Sequence, residues 1–198
     1  MRVSVFDYGA GNLHSLTKAL VLSGAEVRIE SDPLAALDGE ALVLPGVGAF
    51  APAAARLEPG RRAMRDAIVD GLPCLGICLG MQLLFDESDE GAGRGLGLIP
   101  GRVTPLRARR SPQIGWNTVD DARDPLLDVA PLPYAYYANG YVCRPADTCC
   151  VRAWSTCDDD RFPAVVRQRR MVGVQFHPEK SSRAGLAFVR AFLEEAAR

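Results

Sequence analysis

Histidine is scarce in this chain, with two in 198 residues, and the six cysteines include no C-x-x-C pair. Protein zinc sites draw on clustered cysteine and histidine, so no metal centre is expected. Long apolar runs are also missing, and none approaches the ~20 residues a membrane-spanning helix needs. The opening stretch MRVSVFDYG is broken by Asp7 before a signal-peptide core could form, so export is not expected. The cysteines then read as reduced thiols of a cytoplasmic protein, not as a disulfide framework. Charge of one sign is absent too: 23 Lys and Arg against 24 Asp and Glu leave a formal charge of −1. That balance supplies no long-range field for nucleic acid or an anionic membrane. Two arginine clusters remain, Arg107/Arg109/Arg110 and Arg167/Arg169/Arg170. Both read as solvated turns between strands, with a partner surface or an anionic ligand as the alternative.

What is present is an ordinary globular composition, 48% hydrophobic and 24% charged, at a length suited to one domain spanning residues 1–198. The first half alternates between strand and helix patterns. Val3 to Phe6, Glu26 to Ile29, Ala41 to Leu44 and Pro73 to Ile77 are short runs of the kind that form parallel strands. Between them, Leu13, Leu16 and Leu20 recur at helical spacing ahead of Gly24, and residues 60–70 and Cys78 to Phe85 read as helices. This alternation predicts an α/β fold: a flavodoxin-like open mixed, mainly parallel sheet with helices on both faces. From residue 101 the pattern becomes strand-rich. Val103 to Leu106, Ile114 to Val119, Tyr134 to Val142, Cys150 to Trp154, Ala164 to Val166 and Met171 to Phe176 predict an added antiparallel region. A closing helix from Ser181 carries Leu186, Val189 and Leu193 as its apolar stripe.

Sites in such sheets lie beyond the carboxyl ends of the strands, so Gly9 to Asn12, Pro45 to Gly48 and Cys78 are expected on one rim. Gly76-Ile77-Cys78-Leu79-Gly80 sits at a predicted strand-to-helix junction. A nucleophile elbow needs such a turn, with glycines two before and two after to let neighbouring backbone close in. A cysteine at a helix N-terminus is favoured as thiolate, and the following N–H, that of Leu79, points where an oxyanion develops. A buried structural cysteine is the alternative. A thiol nucleophile needs a base. His14 is explained by helix-surface solvation, whereas His177 follows a strand, with Glu179 two residues on to hold the imidazole tautomer. Gln82, one helical turn after Cys78, can line the same pocket or be plain surface. The loop Pro45-Gly46-Val47-Gly48 can present N–H groups to a substrate carbonyl or be a tight turn.

These pieces in this order resemble the class I (triad) glutamine amidotransferases. Within them they resemble the glutaminase subunits of imidazole glycerol phosphate synthase, from histidine biosynthesis. The carrying segments are FDYGAGNLHS (Phe6 to Ser15), LPGVGAF (Leu44 to Phe50), PCLGICLGMQLLF (Pro73 to Phe85), GLGLIPGRV (Gly95 to Val103), IGWN (Ile114 to Asn117) and GVQFHPEKSS (Gly173 to Ser182). The resemblance implies Cys78, His177 and Glu179 as a catalytic triad. It implies a glutamine site of Gly46, Val47, Gly48, Leu79, Gln82, Glu90, Gly140 and Tyr141, where a carboxylate such as Glu90 would meet the substrate ammonium. It also implies that Asn12, Trp116, Tyr136 and Lys180 face a (β/α)8-barrel cyclase in a heterodimer, and that no cofactor is needed. Without the family, Trp116 would read as core and Lys180 as solvated surface. One departure stands out: Asn139-Gly140 occupies places where the family often has His-Ser or His-Thr before tyrosine. A glutaminase of another pathway, such as pyridoxal phosphate synthesis, a cysteine peptidase or γ-glutamyl hydrolase on the same sheet, and a silent regulatory subunit are the rival readings. Cys143, Cys149, Cys150 and Cys157 have no argued role.

Overall fold

The computed structural model describes residues 1–198 apart from Ala10 and Asn12. In chain order the first half runs β1 (Arg2–Phe6), α1 (His14–Leu22), β2 (Glu26–Glu30), β3 (Ala41–Leu44), α2 (Phe50–Leu57), α3 (Arg61–Val69), β4 (Cys74–Ile77) and α4 (Leu79–Gln82). The second half runs β5 (Phe85–Ser88), β6 (Ile99–Pro105), β7 (Gln113–Thr118), α5 (Pro125–Val129), β8 (Tyr134–Asn139), β9 (Tyr141–Pro145), β10 (Val151–Cys157), β11 (Asp160–Gln168), β12 (Met171–Val174) and α6 (Ser182–Ala196). The main sheet has seven strands in the order β10-β11-β12-β4-β3-β1-β2. Pairings from β12 through β2 are parallel, and β10 and β11 extend the sheet antiparallel. Smaller sheets, β5-β6-β9 and β7-β8, complete the second half.

Strand periodicity divides the core into two. Val3, Val5, Val43, Leu75, Ile77, Val172 and Val174 face α1 and α6, burying Leu16, Leu20, Phe188 and Phe192 with them. Leu42, Leu44, Cys74 and Met171 face the other way, against Phe50 and Leu57 of α2 and Met64 and Ile68 of α3. Strands β3, β4 and β12 are buried at every position, which is why their sequences are unbroken apolar runs.

Four expectations need correction. The helix expected over Cys78 to Phe85 is a single turn, Leu79–Gln82. Leu84 N turns back to Met81 O at 3.1 Å, three residues before it, and Phe85 already pairs with Ile99 of β6. The strand expected over Tyr134 to Val142 breaks at Gly140 into β8 and β9, which pair with β7 and β6 in different sheets. Arg167 is no solvated turn residue. Its side chain is 11% exposed and ion-paired to Asp124 and Glu195, both at 2.6 Å, tying β11 to α5 and α6. Trp116 is not core, being 56% exposed on β7. Helix α2 had no forecast, although Phe50, Ala53, Ala54 and Leu57 recur at helical spacing and are all buried.

Candidate active site

The residue after β4 is Cys78, and its backbone is strained: φ is +46° and ψ is −102°, a region that β-carbon-bearing residues rarely occupy. The flanking glycines explain how the turn is built. A β-carbon at Gly80 would lie 2.0 Å from Leu44 O, and one at Gly76 would lie 2.7 Å from Gly80 O. Neither position has room for a side chain, so the elbow packs backbone on backbone. Cys78 N donates to Val174 O at 2.7 Å, and β4 pairs with β12 in register, Ile77 opposite Val174. The nucleophile elbow and the His177 segment therefore leave the sheet side by side.

His177 lies three residues beyond β12, its N–H donating to Tyr136 O at 2.8 Å. Its Nδ1 sits 2.8 Å from Glu179 Oε1. The two residues share a side through a 3-10 turn over Pro178–Lys180, not through the extended segment expected. Pro178 fixes the turn, and Lys180 N closes it on His177 O at 3.0 Å. Burial alone would depress the imidazole's proton affinity. Hydrogen bonding and charge from Cys78 and Glu179 outweigh it and raise the pKa to about 10. Cys78 is 5% and His177 2% exposed, so the pair is almost fully covered.

The Pro45–Gly48 loop closes over this pair. A β-carbon at Gly46 would meet His177 Cε1 at 2.8 Å and Cys78 Cβ at 3.1 Å. Gly48, with φ of +131°, stands against Leu79, and Gly11 against Val47, so all three loops share the rim as expected. Asn12 lies outside the described residues. Leu79, first in its helical turn, has no carbonyl of that turn to receive its N–H. Tyr8, buried, holds the loop by donating its hydroxyl to Pro45 O.

Other expected residues gather nearby. Gln82 Nε2 donates to Tyr141 O at 3.3 Å, and Asn139 Nδ2 donates to the same carbonyl at 3.1 Å. Gly140 lies between them in sequence, with the nearest contact of an added β-carbon at 3.6 Å. Glu90 Oε2 accepts from Phe50 N at 3.0 Å, capping α2 where the Pro45–Gly48 loop ends. Val47 is half-buried at the rim. Trp116 and Tyr136 meet edge to face at 6.2 Å, and Lys180 Nζ lies 5.9 Å from the Tyr136 ring centre. His14 is exposed at the start of α1.

Gln175 escaped sequence reasoning. It is fully buried and donates from Nε2 to Cys78 Sγ at 3.5 Å. The signal was its amide within the otherwise apolar run Met171 to Phe176, since a buried polar group needs a partner.

Arranged so, a thiol on a strained elbow faces a buried imidazole held by a carboxylate, under a glycine-rich loop, with no described helix long and apolar enough to cross a membrane. The family model for glutamine amidotransferase class-I matches residues 4–196. An imidazole glycerol phosphate synthase subunit HisH from Symbiobacterium thermophilum is 47% identical over 196 residues, covering 93% of this chain and 90% of that one. Its namesake from Halobacterium salinarum is 43% identical over 202 residues, covering 97% and 92%. A crystal structure of a glutamine amidotransferase shares the fold with a TM-score of 0.77 at 21% identity, covering 99% of each chain. The chain therefore belongs to the class-I glutamine amidotransferases, within the family of imidazole glycerol phosphate synthase HisH subunits.

Proposed function

We propose that this chain hydrolyses glutamine through a Cys78 thioester and passes the ammonia to a (β/α)8-barrel cyclase, forming imidazole glycerol phosphate and an aminoimidazole carboxamide ribotide in histidine biosynthesis. One observation carries the reading: Cys78 and the His177–Glu179 pair emerge from adjacent, in-register strands, with the cysteine forced into a positive φ. The Cys78 sulfur attacks the carboxamide carbon. The developing oxyanion is met by backbone N–H groups at Leu79 and the Gly46–Gly48 loop. His177 gives its proton to the leaving nitrogen, so ammonia departs and the glutamyl thioester remains. The imidazole then takes a proton from water, whose oxygen cleaves the thioester to glutamate and restores the thiol. Glu179 holds the ring in the required tautomer.

Gln82, Glu90 and the Gly140–Tyr141 segment are assigned to the glutamine. Glu90 uses one oxygen on α2 and keeps the other for the substrate ammonium. With Cys78 5% exposed, glutamine enters only when the surrounding loops give way, which suits a site gated by its partner. Asn12, Trp116, Tyr136 and Lys180 are assigned to that partner's surface. Exposure of Ile114 (69%), Trp116 (56%) and Tyr134 (60%) supports an interface there, because a large apolar patch on a soluble chain marks an association site. The patch adjoins the triad through the Tyr136–His177 backbone bond, which supports ammonia being handed over on this side.

The test is glutamate release by this chain alone and with the cyclase subunit plus its ribonucleotide ligand. A low rate alone that rises strongly in the complex is expected. Cys78→Ser and Cys78→Ala should abolish release while the complex still forms. Hydrolysis retained by either variant would refute the thioester mechanism.

A further inference from the structure

The run from Met171 to Phe176 is buried throughout, and Gln175 is the one polar side chain in it. The backbone there asks nothing of that amide, because Gln175 N already donates to Ala164 O of β11 at 2.9 Å. The side chain has no exposed surface, and burying an amide is unfavourable unless its polar ends are met. Here one end is met. Nε2 donates to Cys78 Sγ at 3.5 Å, whereas Oε1 is enclosed without a hydrogen-bond partner among the described residues. A glutamine kept to cross-link the interior would bridge neighbours with both ends. This one has the nucleophile's sulfur as its side-chain partner.

The kind of bond matters. A thiol can donate its proton, but a thiolate can only accept, so an N–H aimed at the sulfur favours the charged form. The contact that would favour S–H is longer: Ala138 O lies 3.9 Å from Sγ. Of the titratable groups around the sulfur, Tyr8 and Cys143 feel its charge, but burial pushes both well above their ordinary values, so both stay neutral near pH 7. His177, hydrogen-bonded to Cys78 and Glu179, is the neighbour that carries a proton. Gln175 is the neutral donor beside it.

We infer that Gln175 is a further catalytic residue, its Nε2–H stabilising the Cys78 sulfur whenever that atom carries negative charge. The inference rests on Cys78 being the nucleophile. The sulfur is charged twice in a turnover. Its charge passes to the carboxamide oxygen as the C–S bond forms. When water's oxygen cleaves the thioester, the C–S electron pair returns to the sulfur, and the amide meets it until a proton is restored from His177.

The test is alkylation of Cys78, in the cyclase complex, by a glutamine-shaped chloroketone. The sulfur displaces chloride as the C–S bond forms, so the limiting rate at saturating label, followed by intact mass, tracks the charged sulfur across pH. Gln175→Met removes the donor at similar length, and Gln175→Asn keeps an amide but withdraws it by one methylene. In both, the acid limb of the profile should move up by about one pH unit, a loss of about tenfold in labelling rate below the limb. Complex formation shows which variants are folded. A limb that superimposes on the wild type, or moves down, in a variant that forms the complex would overturn the role of Gln175 and leave Cys78 as the nucleophile. A wild-type complex whose Cys78 is not labelled at any pH would instead remove the nucleophile assignment, and this inference with it.

Discussion

Consider the replacement of Gly46 by alanine. The new methyl would sit 2.8 Å from His177 Cε1, where ordinary contact begins at 3.4 Å, and 3.1 Å from Cys78 Cβ. Neither neighbour yields easily. The imidazole is fixed at Nδ1 by Glu179 and through its backbone by Tyr136 O, and Cys78 is already held at φ of +46°. The ring must retreat by about 0.6 Å, the shortfall between 2.8 and 3.4 Å, or the loop must lift. Misplacing a reacting group by ~1 Å costs about a hundredfold in rate, so a loss of about tenfold in kcat is expected, with KM little changed. Crowding of this kind should also lower stability by ~1–3 kcal/mol, a fall of a few degrees in the unfolding midpoint. Glutamate release in the cyclase complex, assayed well below that midpoint, separates the two effects. Full activity in Gly46→Ala would refute the claim that this loop packs directly on the nucleophile and base.

The chain's two histidines make ring-proton NMR direct. Glu179→Gln should bring the His177 titration below its value of about 10, and an unchanged midpoint would exclude Glu179 as the ring's partner. The sign for stability follows: a pKa raised by folding from 6.5 to about 10 stabilises the fold fully below pH 6.5, and this is lost as pH rises toward 10. Thermal unfolding midpoints should fall across that interval, and less steeply in Glu179→Gln. Arg167→Met leaves Asp124, which has no exposed surface, without its cation, and should cost about 3 kcal/mol in denaturant unfolding; a change within ~0.5 kcal/mol would mean the ion pair is not structural. Gly140→Ser should be tolerated, because an added β-carbon there meets nothing closer than 3.6 Å, and it should lower KM for glutamine if a hydroxyl serves the substrate. An unchanged KM would mean that backbone makes the contact.

The elbow was legible because its glycines answer a steric demand that only glycine meets, as Gly80 against Leu44 O makes plain. Strands β3, β4 and β12 were legible as apolar runs because burial on both faces removes any reason for polar residues. What stayed hidden depends on partners distant in sequence. The stop of α4 after Gln82 goes with the pairing of Phe85 to Ile99, more than a dozen residues later. Arg167 resembled its solvated neighbours because local pattern carries no sign of Asp124 and Glu195. Gln175 was hidden for the same reason, since its partner Cys78 lies 97 positions away. The exposure of Trp116 inverted a reading based on residue type alone, since tryptophan is usually core unless a surface needs it.

The register of β4 with β12 has a consequence for how this protein fails. Cys78 and His177 are separated by half of the chain, yet the Cys78 amide is bonded to Val174, in the strand that leads to His177. Those strands are central and fully buried, so their amides should exchange with solvent only when the whole molecule opens. No fraying of an end can then separate the thiol from the imidazole. On heating, loss of chemistry and loss of the native state should coincide, leaving no partly melted form that is still active and no folded form whose triad has come apart.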